Sequence, residues 1–99
     1  MSLLTSILTK LRTHERELRA RGVVHVAVFG SVVRAENRAD SDVDILVDLT
    51  PEVAADLFAY AGIAADLEEI VGQEVDVAQR DRLRPHVRPN AEAQAVYAF

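Results

Sequence analysis

The sequence predicts an α/β fold in which a small mixed sheet of three or four strands carries helices packed on it. Residues 23–29 and 41–47 are short, β-branched apolar runs typical of buried strands, and residues 74–79 form a third. Segments with helical spacing of apolar residues precede the first strand and separate the second strand from the third. Because a helix leads into the third strand, we expect at least one crossover connection.

Two helices are predicted from apolar residues three and four positions apart. The first covers about Ser2 to Arg21, with Gly22 as its C-cap. The second begins at Pro51 after a Thr50 cap and ends at Gly72. Its repeating positions are Val53, Leu57, Tyr60, Ala64, Leu67 and Val71, and Gly62 marks a possible break. Residues 80–88 are expected to be irregular, and residues 89–99 to form a last short helix presenting Val96, Tyr97 and Phe99.

The length and composition of the chain limit the classes of function that it can have. Residues 1–99 are expected to form a single domain, able to fold alone by burying roughly 60 to 68% of its surface. The chain has no cysteine, no apparent signal peptide and no apolar stretch of about 18 residues or more, so we expect a soluble cytoplasmic protein without membrane contact. A net charge of −5 argues against direct nucleic-acid binding and favours a basic partner.

The turn after the first strand is a candidate nucleotide-binding site. Gly30 lets the backbone approach an anion closely, and the Ser31 hydroxyl can donate to a phosphate oxygen. Val32 to Asn37 can open a short helix whose free N–H groups face the same anion. Ser31 can equally cap that helix, and both roles are compatible.

Three aspartates are candidate catalytic residues and metal ligands. Asp42 and Asp44 begin ten residues after the Gly-Ser pair and, at positions i and i+2, share one face of the second strand. Paired carboxylates of this kind suit Mg²⁺. Isolated acidic residues at the start of a strand, however, often serve only to keep an exposed edge of the sheet soluble. Asp76 is the candidate third acid and general base, with Glu74 and Asp81 as nearby alternatives.

Arg34 is the remaining candidate for nucleotide binding. It can clamp a phosphate bidentately, or it can pair at the surface with Glu36 or Asp40.

The motif Gly30-Ser31, a ten-residue spacer, Asp42-Val43-Asp44 and a later strand Asp76 resembles the DNA polymerase β-like nucleotidyltransferases, and among them the minimal nucleotidyltransferase (MNT) domains. Ala35 departs from the pattern, because members commonly carry glycine there. The resemblance implies a small mixed sheet with the acids clustered at one edge. Stand-alone members are typically encoded beside a helical toxin of the HEPN class ("higher eukaryotes and prokaryotes nucleotide-binding") and act as its antitoxin, which implies a hetero-oligomer.

The leading hypothesis is a nucleotidyltransferase that uses Mg²⁺, as two ions, to move AMP from ATP onto a hydroxyl of the HEPN-type toxin. The alternative is a non-catalytic antitoxin that neutralises the toxin by binding and occlusion. Transfer to a small molecule such as an aminoglycoside is disfavoured, because the predicted single domain leaves no second domain to build an acceptor pocket.

Overall fold

The computed structural model describes residues 2–38 and 41–99, which form a four-stranded mixed sheet with helices. The predicted fold class is therefore confirmed. In chain order the helices and strands are α1 Leu3–Thr13, α2 Glu15–Ala20, β1 Val23–Phe29, β2 Val43–Leu49, α3 Pro51–Ala54, α4 Leu57–Val71, β3 Val75–Gln79, α5 Arg88–Gln94 and β4 Val96–Tyr97.

The sheet has the strand order β3-β2-β1-β4. β1 is antiparallel to both β2 and β4, whereas β2 and β3 are parallel and are joined by the α3–α4 crossover. The predicted crossover is thus present. The prediction of a helix over residues 89–99 is wrong beyond Gln94, since Val96 and Tyr97 pair with Val28 and Ala27 and supply the fourth strand.

The main core lies between one face of the sheet and helices α1 and α4. Side chains alternate along a strand, so Val43, Ile45 and Val47 point to the same side, and each is at most 1% exposed. Leu11 of α1 and Leu67 of α4 are fully buried against this layer. The residues between them on β2, including Asp44, therefore lie on the opposite face.

The predicted N-terminal helix is two helices, divided at His14. The backbone N–H of His14 donates to the Leu11 carbonyl, as in a tighter 3₁₀ turn, and not to Lys10. The imidazole Nδ1 of His14 lies 2.8 Å from the Lys10 carbonyl oxygen. A side-chain contact has therefore replaced the regular backbone bond, which explains the interruption.

The second predicted helix is divided as well, but before Leu57 and not at Gly62. The Asp56 carboxylate accepts hydrogen bonds from the N–H groups of Phe58 and Ala59 and begins α4 as its N-cap. The new start leaves Leu57 76% exposed, so it does not share the buried face with repeating positions such as Leu67 and Val71. The predicted end of this helix at Gly72 is confirmed.

The prediction of a short helix over Val32 to Asn37 is wrong, since regular helical structure in this loop ends at Val32. A single 3₁₀ turn spans Gly30–Val32, and turns follow it through Ala35. Ala35 has a φ of 58°, in the left-handed region that favours glycine. The departure from the family pattern noted above therefore falls at a position where the backbone disfavours a side chain.

Within residues 2–38 and 41–99, every helix falls short of the length and apolar character needed to cross a bilayer.

We expect Ala35→Gly to stabilise the protein by about 1 kcal/mol, because glycine removes the left-handed strain of an L-residue. For a chain of this size, the melting temperature should rise by roughly 4–8 °C. Calorimetry measures this change. Ala93→Gly within α5 is the matched control and should lower stability, and an unchanged or lowered melting temperature for Ala35→Gly would contradict the interpretation.

Candidate active site

The register between β2 and β3 places two of the three candidate acids side by side. Asp44 is the direct partner of Asp76 across the parallel pair, each one residue after the start of its strand. Adjacent strands lie about 4.8 Å apart, and paired residues project to the same face. Asp42 lies just before β2 and is exposed. The three residues therefore come together on one corner of the sheet, on the face away from the core.

Gly30 lies directly against the Asp44 carboxylate. A β-carbon built on Gly30 would stand 2.2 Å from Asp44 Oδ2, much closer than atoms can approach. The φ of Gly30 is +76°, which also favours glycine. Both requirements arise because β1 ends at Phe29, the antiparallel partner of Asp44, and the chain turns there. Glycine at this position is thus what allows the turn and the carboxylate to share one site.

The electrostatics of this corner are dominated by crowded negative charge. Partial burial, followed by the neighbouring carboxylates of Asp76 and Asp42, raises the pKa of Asp44 above its ordinary value. The positive charge of Arg34 and a backbone hydrogen bond from Ser31 oppose that rise in pKa but do not cancel it. A divalent cation would relieve this repulsion.

The donor set fits Mg²⁺, which takes one or two carboxylates and completes its coordination with water and phosphate oxygens. Within the described residues, however, no group of three or more Asp, Glu or His side chains is arranged to hold a metal ion as it stands. Asp44 and Asp76 are partners across the two strands, and the charges of Asp76 and Asp42 raise the pKa of Asp44. Metal ligation by Asp42, Asp44 and Asp76 stays a prediction.

The two alternatives to Asp76 lie elsewhere. Glu74 precedes β3, and its side chain lines a groove with Glu68 and Glu69 of α4. Asp81 follows β3 at the other end of the strand, where it pairs with Arg80 at 3.5 Å. Among these three acids, Asp76 is the one opposite Asp44.

Arg34 forms a predicted surface pair and lies close enough to the acids to affect the pKa of Asp44. Its Nε donates to Glu36 at 2.9 Å, which is one of the two predicted surface pairs. The other predicted partner, Asp40, lies outside the described residues. Arg34 also lowers the pKa of Asp44, so its charge is felt at the acids, and phosphate binding by Arg34 stays a prediction.

Two residues of this region are not identifiable from the sequence. Gln94, at the end of α5, accepts a 2.9 Å hydrogen bond from Nη1 of Arg34 across 60 positions of chain. The Tyr60 hydroxyl donates to the Val77 carbonyl at 2.7 Å, and burial followed by the charge of Asp76 raises the Tyr60 pKa. Neither contact has a local sequence signal, because each depends on how distant elements pack.

Comparison with known proteins agrees with this geometry. The family described as "Nucleotidyltransferase domain" matches residues 11–98. Protein adenylyltransferase MntA of Thermococcus cleftensis is 38% identical over 98 residues, covering 98% of this chain and 97% of the relative. A solved minimal nucleotidyltransferase is 36% identical, with a TM-score of 0.75 and coverage of 97% and 95% of the two chains.

A third similarity is confined to the fold. A complex of the tri-AMPylated HEPN toxin of Shewanella oneidensis with MNT antitoxin contains a chain that matches at 17% identity, with a TM-score of 0.64. The match covers 93% of the present chain and 71% of the other.

Substitution of Gly30 tests the contact with Asp44. We expect Gly30→Ala to destabilise the protein more than Gly72→Ala, although both glycines have nearly the same φ (+76° and +83°). The nearest atom to a β-carbon at Gly72 is Lys10 Nζ at 3.9 Å, so that control carries the backbone strain alone, about 1–2 kcal/mol. Urea unfolding measures the unfolding free energy of both variants. Equal losses of stability would show that a β-carbon at position 30 does not clash with Asp44.

The raised pKa of Asp44 predicts how stability depends on pH. Folding makes ionisation of Asp44 harder, so its contribution to stability is lost as pH rises from the unfolded value, 3.8, through the higher folded pKa. We therefore expect Asp44→Asn to raise the unfolding free energy at pH 7 without divalent cations, and the gain to vanish below pH 3.8.

Urea unfolding across pH, in the presence of a chelator, measures this effect. Asp81→Asn is the matched control and should give no gain, because Asp81 is 72% exposed and paired with arginines. Destabilisation by Asp44→Asn at pH 7 would contradict the predicted repulsion.

Proposed function

The chain belongs to the nucleotidyltransferase domain family, and we propose that it is a magnesium-dependent adenylyltransferase that transfers AMP from ATP to a hydroxyl of a HEPN-type toxin, acting as its antitoxin. The observation that carries the proposal is the pairing of Asp44 with Asp76 beside the Gly30-Ser31 turn. The name of the MntA relative, which covers nearly the whole chain, supports the choice of AMP and of a protein acceptor. The complex of a tri-AMPylated HEPN toxin with MNT antitoxin supports the choice of partner.

The proposed reaction is a single displacement at the α-phosphorus of ATP. The acceptor oxygen forms a bond to that phosphorus, the bond from the α-phosphorus to the bridging oxygen breaks, and pyrophosphate leaves. The hydroxyl proton goes to Asp76, which is exposed and therefore accessible to an acceptor. Bound Mg²⁺, expected as two ions held by Asp42, Asp44 and Asp76, would supply compensation of phosphate charge and activation of the acceptor hydroxyl.

The loop after β1 would bind the triphosphate. The Ser31 hydroxyl, at the partly exposed first turn, would donate to a phosphate oxygen, while the Ser31 backbone lowers the pKa of the neighbouring Asp44. Arg34, already close enough to influence Asp44, would add positive charge near the phosphates once it leaves Glu36. The Ser31 donors lie on a turn that the fold forms before the substrate arrives, which is what electrostatic catalysis requires.

The test uses the purified chain, a HEPN-type toxin from the same organism, ATP and Mg²⁺, with intact-mass spectrometry reporting the addition of AMP. We expect Asp76→Asn to slow transfer by about 10²-fold or more, as loss of a general base does. Glu74→Gln removes the same charge two residues away and should leave the rate nearly unchanged. No transfer by the wild-type chain, or equal rates for the two variants, would contradict the proposal.

Occlusion without chemistry is distinguished in cells. If the Asp44→Asn chain forms the complex and still protects cells from the toxin, binding alone neutralises the partner. Loss of protection with the complex intact supports adenylyl transfer as the neutralising event.

A further inference from the structure

The side chain of Arg34 is held from two sides next to the candidate active site. Its Nε donates to Oε2 of Glu36 at 2.9 Å, and its Nη1 donates to the amide oxygen of Gln94 at 2.9 Å. The positive charge of Arg34 opposes the rise in the pKa of Asp44 that burial and the neighbouring acids cause. One charged and one neutral side chain therefore determine where this cation lies relative to the acids.

The contact with Glu36 stays within one loop. Glu36 is two residues from Arg34, and its backbone N–H donates to the Ser31 carbonyl at 2.9 Å. The side chains of Arg34 and Glu36 are 43% and 66% exposed, and an exposed ion pair of this kind contributes little to stability. The phosphates of ATP can therefore replace Glu36 at the guanidinium at little cost.

Gln94, in contrast, lies on an element that packs on the sheet carrying the acids. It is the last residue of α5, which contacts β1 and whose Ala91 is buried. Two residues later, Val96 pairs with Val28 of β1. Because β1 and β4 are antiparallel, the residues before Val96 lie beside the residues after Val28, where the Gly30 turn begins. The end of α5 thus adjoins the proposed triphosphate site.

The two contacts leave part of the guanidinium available to a ligand. Arginine also carries N–H groups on Nη2, and among the described residues these groups of Arg34 have no hydrogen-bond acceptor. The amide of Gln94 is neutral, so it orients the guanidinium without cancelling its positive charge. Both properties suit a cation that is to bind phosphate oxygens.

We propose that Gln94 is a positioning residue for nucleotide binding, whose amide oxygen holds the guanidinium of Arg34 beside the acids while the triphosphate of ATP displaces Glu36. Without this hydrogen bond, the long side chain of Arg34 would have to be ordered when ATP binds, and that loss of conformational entropy weakens binding. This inference rests on the proposed function, because it assigns Gln94 to the binding of ATP in that reaction.

α5 has anchors that do not involve Gln94. Ala91 is buried, and the carboxylate of Glu92 accepts hydrogen bonds from Arg80 at 3.2 Å and from Arg88 at 2.9 Å. Replacing the amide of Gln94 should therefore leave the helix in place. An effect on ATP binding then reports on Arg34 and not on the folding of α5.

The test is a double-mutant cycle, measured by calorimetry as the Kd of the isolated chain for ATP with Mn²⁺. Gln94→Met keeps the side-chain length and helix propensity but removes the amide oxygen. We expect it to raise the Kd roughly threefold to tenfold, because Arg34 is then ordered only on binding. Arg34→Met should raise the Kd at least as much. Adding Gln94→Met to Arg34→Met should cause no further rise, because the residue through which Gln94 acts is absent.

Glu92→Gln is the matched control, because Glu92 lies on the same helix and binds arginines other than Arg34. It should leave the Kd for ATP unchanged even where it lowers the melting temperature. A rise in Kd as large as that of Gln94→Met would assign the effect to the packing of α5 and overturn the positioning role.

An unchanged Kd for Gln94→Met, with a raised Kd for Arg34→Met, would overturn the positioning role alone. Equal rises for Gln94→Met with and without Arg34 would overturn it too, because Gln94 would then act by another route. An unchanged Kd for Arg34→Met would contradict both this inference and the phosphate contact in the proposed function. Coupling between the two residues, with no adenylyl transfer by the wild-type chain, would instead contradict the proposed chemistry and leave the role of Gln94 supported.

Discussion

The register between the parallel strands β2 and β3 is the constraint on which the rest of the site depends. It sets Asp44 opposite Asp76, and a shift of one residue would turn one of the two toward the core. The alternating apolar residues on both strands specify this register, since Val43, Ile45 and Val47 must face α1 and α4. The packing of the hydrophobic core therefore determines the position of the acids on the opposite face.

The carboxylates of Asp42, Asp44 and Asp76 repel one another at this corner of the sheet, and the surrounding fold accommodates them. Gly30 adds no side chain where Asp44 needs space, and the Ser31 backbone partly offsets the rise in the pKa of Asp44. Buried van der Waals contacts on the core face stabilise the strands, so the acids need not contribute to stability themselves. Without a cation, the three neighbouring carboxylates remain electrostatically unfavourable, as expected for the proposed metal site.

The sequence predicted those features of the fold that depend on residues close together in the chain. β1 was predicted with its observed bounds, and the Gly-Ser turn, the spacing of the aspartates and the crossover before β3 follow from period, turn residues and length. The breaks at His14 and before Leu57 were missed, because each depends on one side chain bonding to the backbone in competition with helix continuation. β4 was missed because two residues carry no pattern, and only pairing with β1 makes them a strand.

The sequence supplied the candidate site residues but not the contacts around them. The choice of Asp76 over Glu74 required the register, and the contacts of Arg34 with Gln94 and of Tyr60 with Val77 join residues far apart in the chain. The exposure of Leu57 could not be predicted either, since a helix starting at Pro51 would have placed it in the core. These features arise from packing between elements, which one sequence does not encode in any short segment.

Crystallography of the chain with Mn²⁺ and AMP-PNP, using the anomalous signal of manganese, tests the central claim most directly. We predict anomalous density coordinated by carboxylate oxygens of Asp44 and Asp76, with the nucleotide phosphates against Gly30 and Ser31. Manganese bound away from these carboxylates, or nucleotide bound on another face of the sheet, would contradict it.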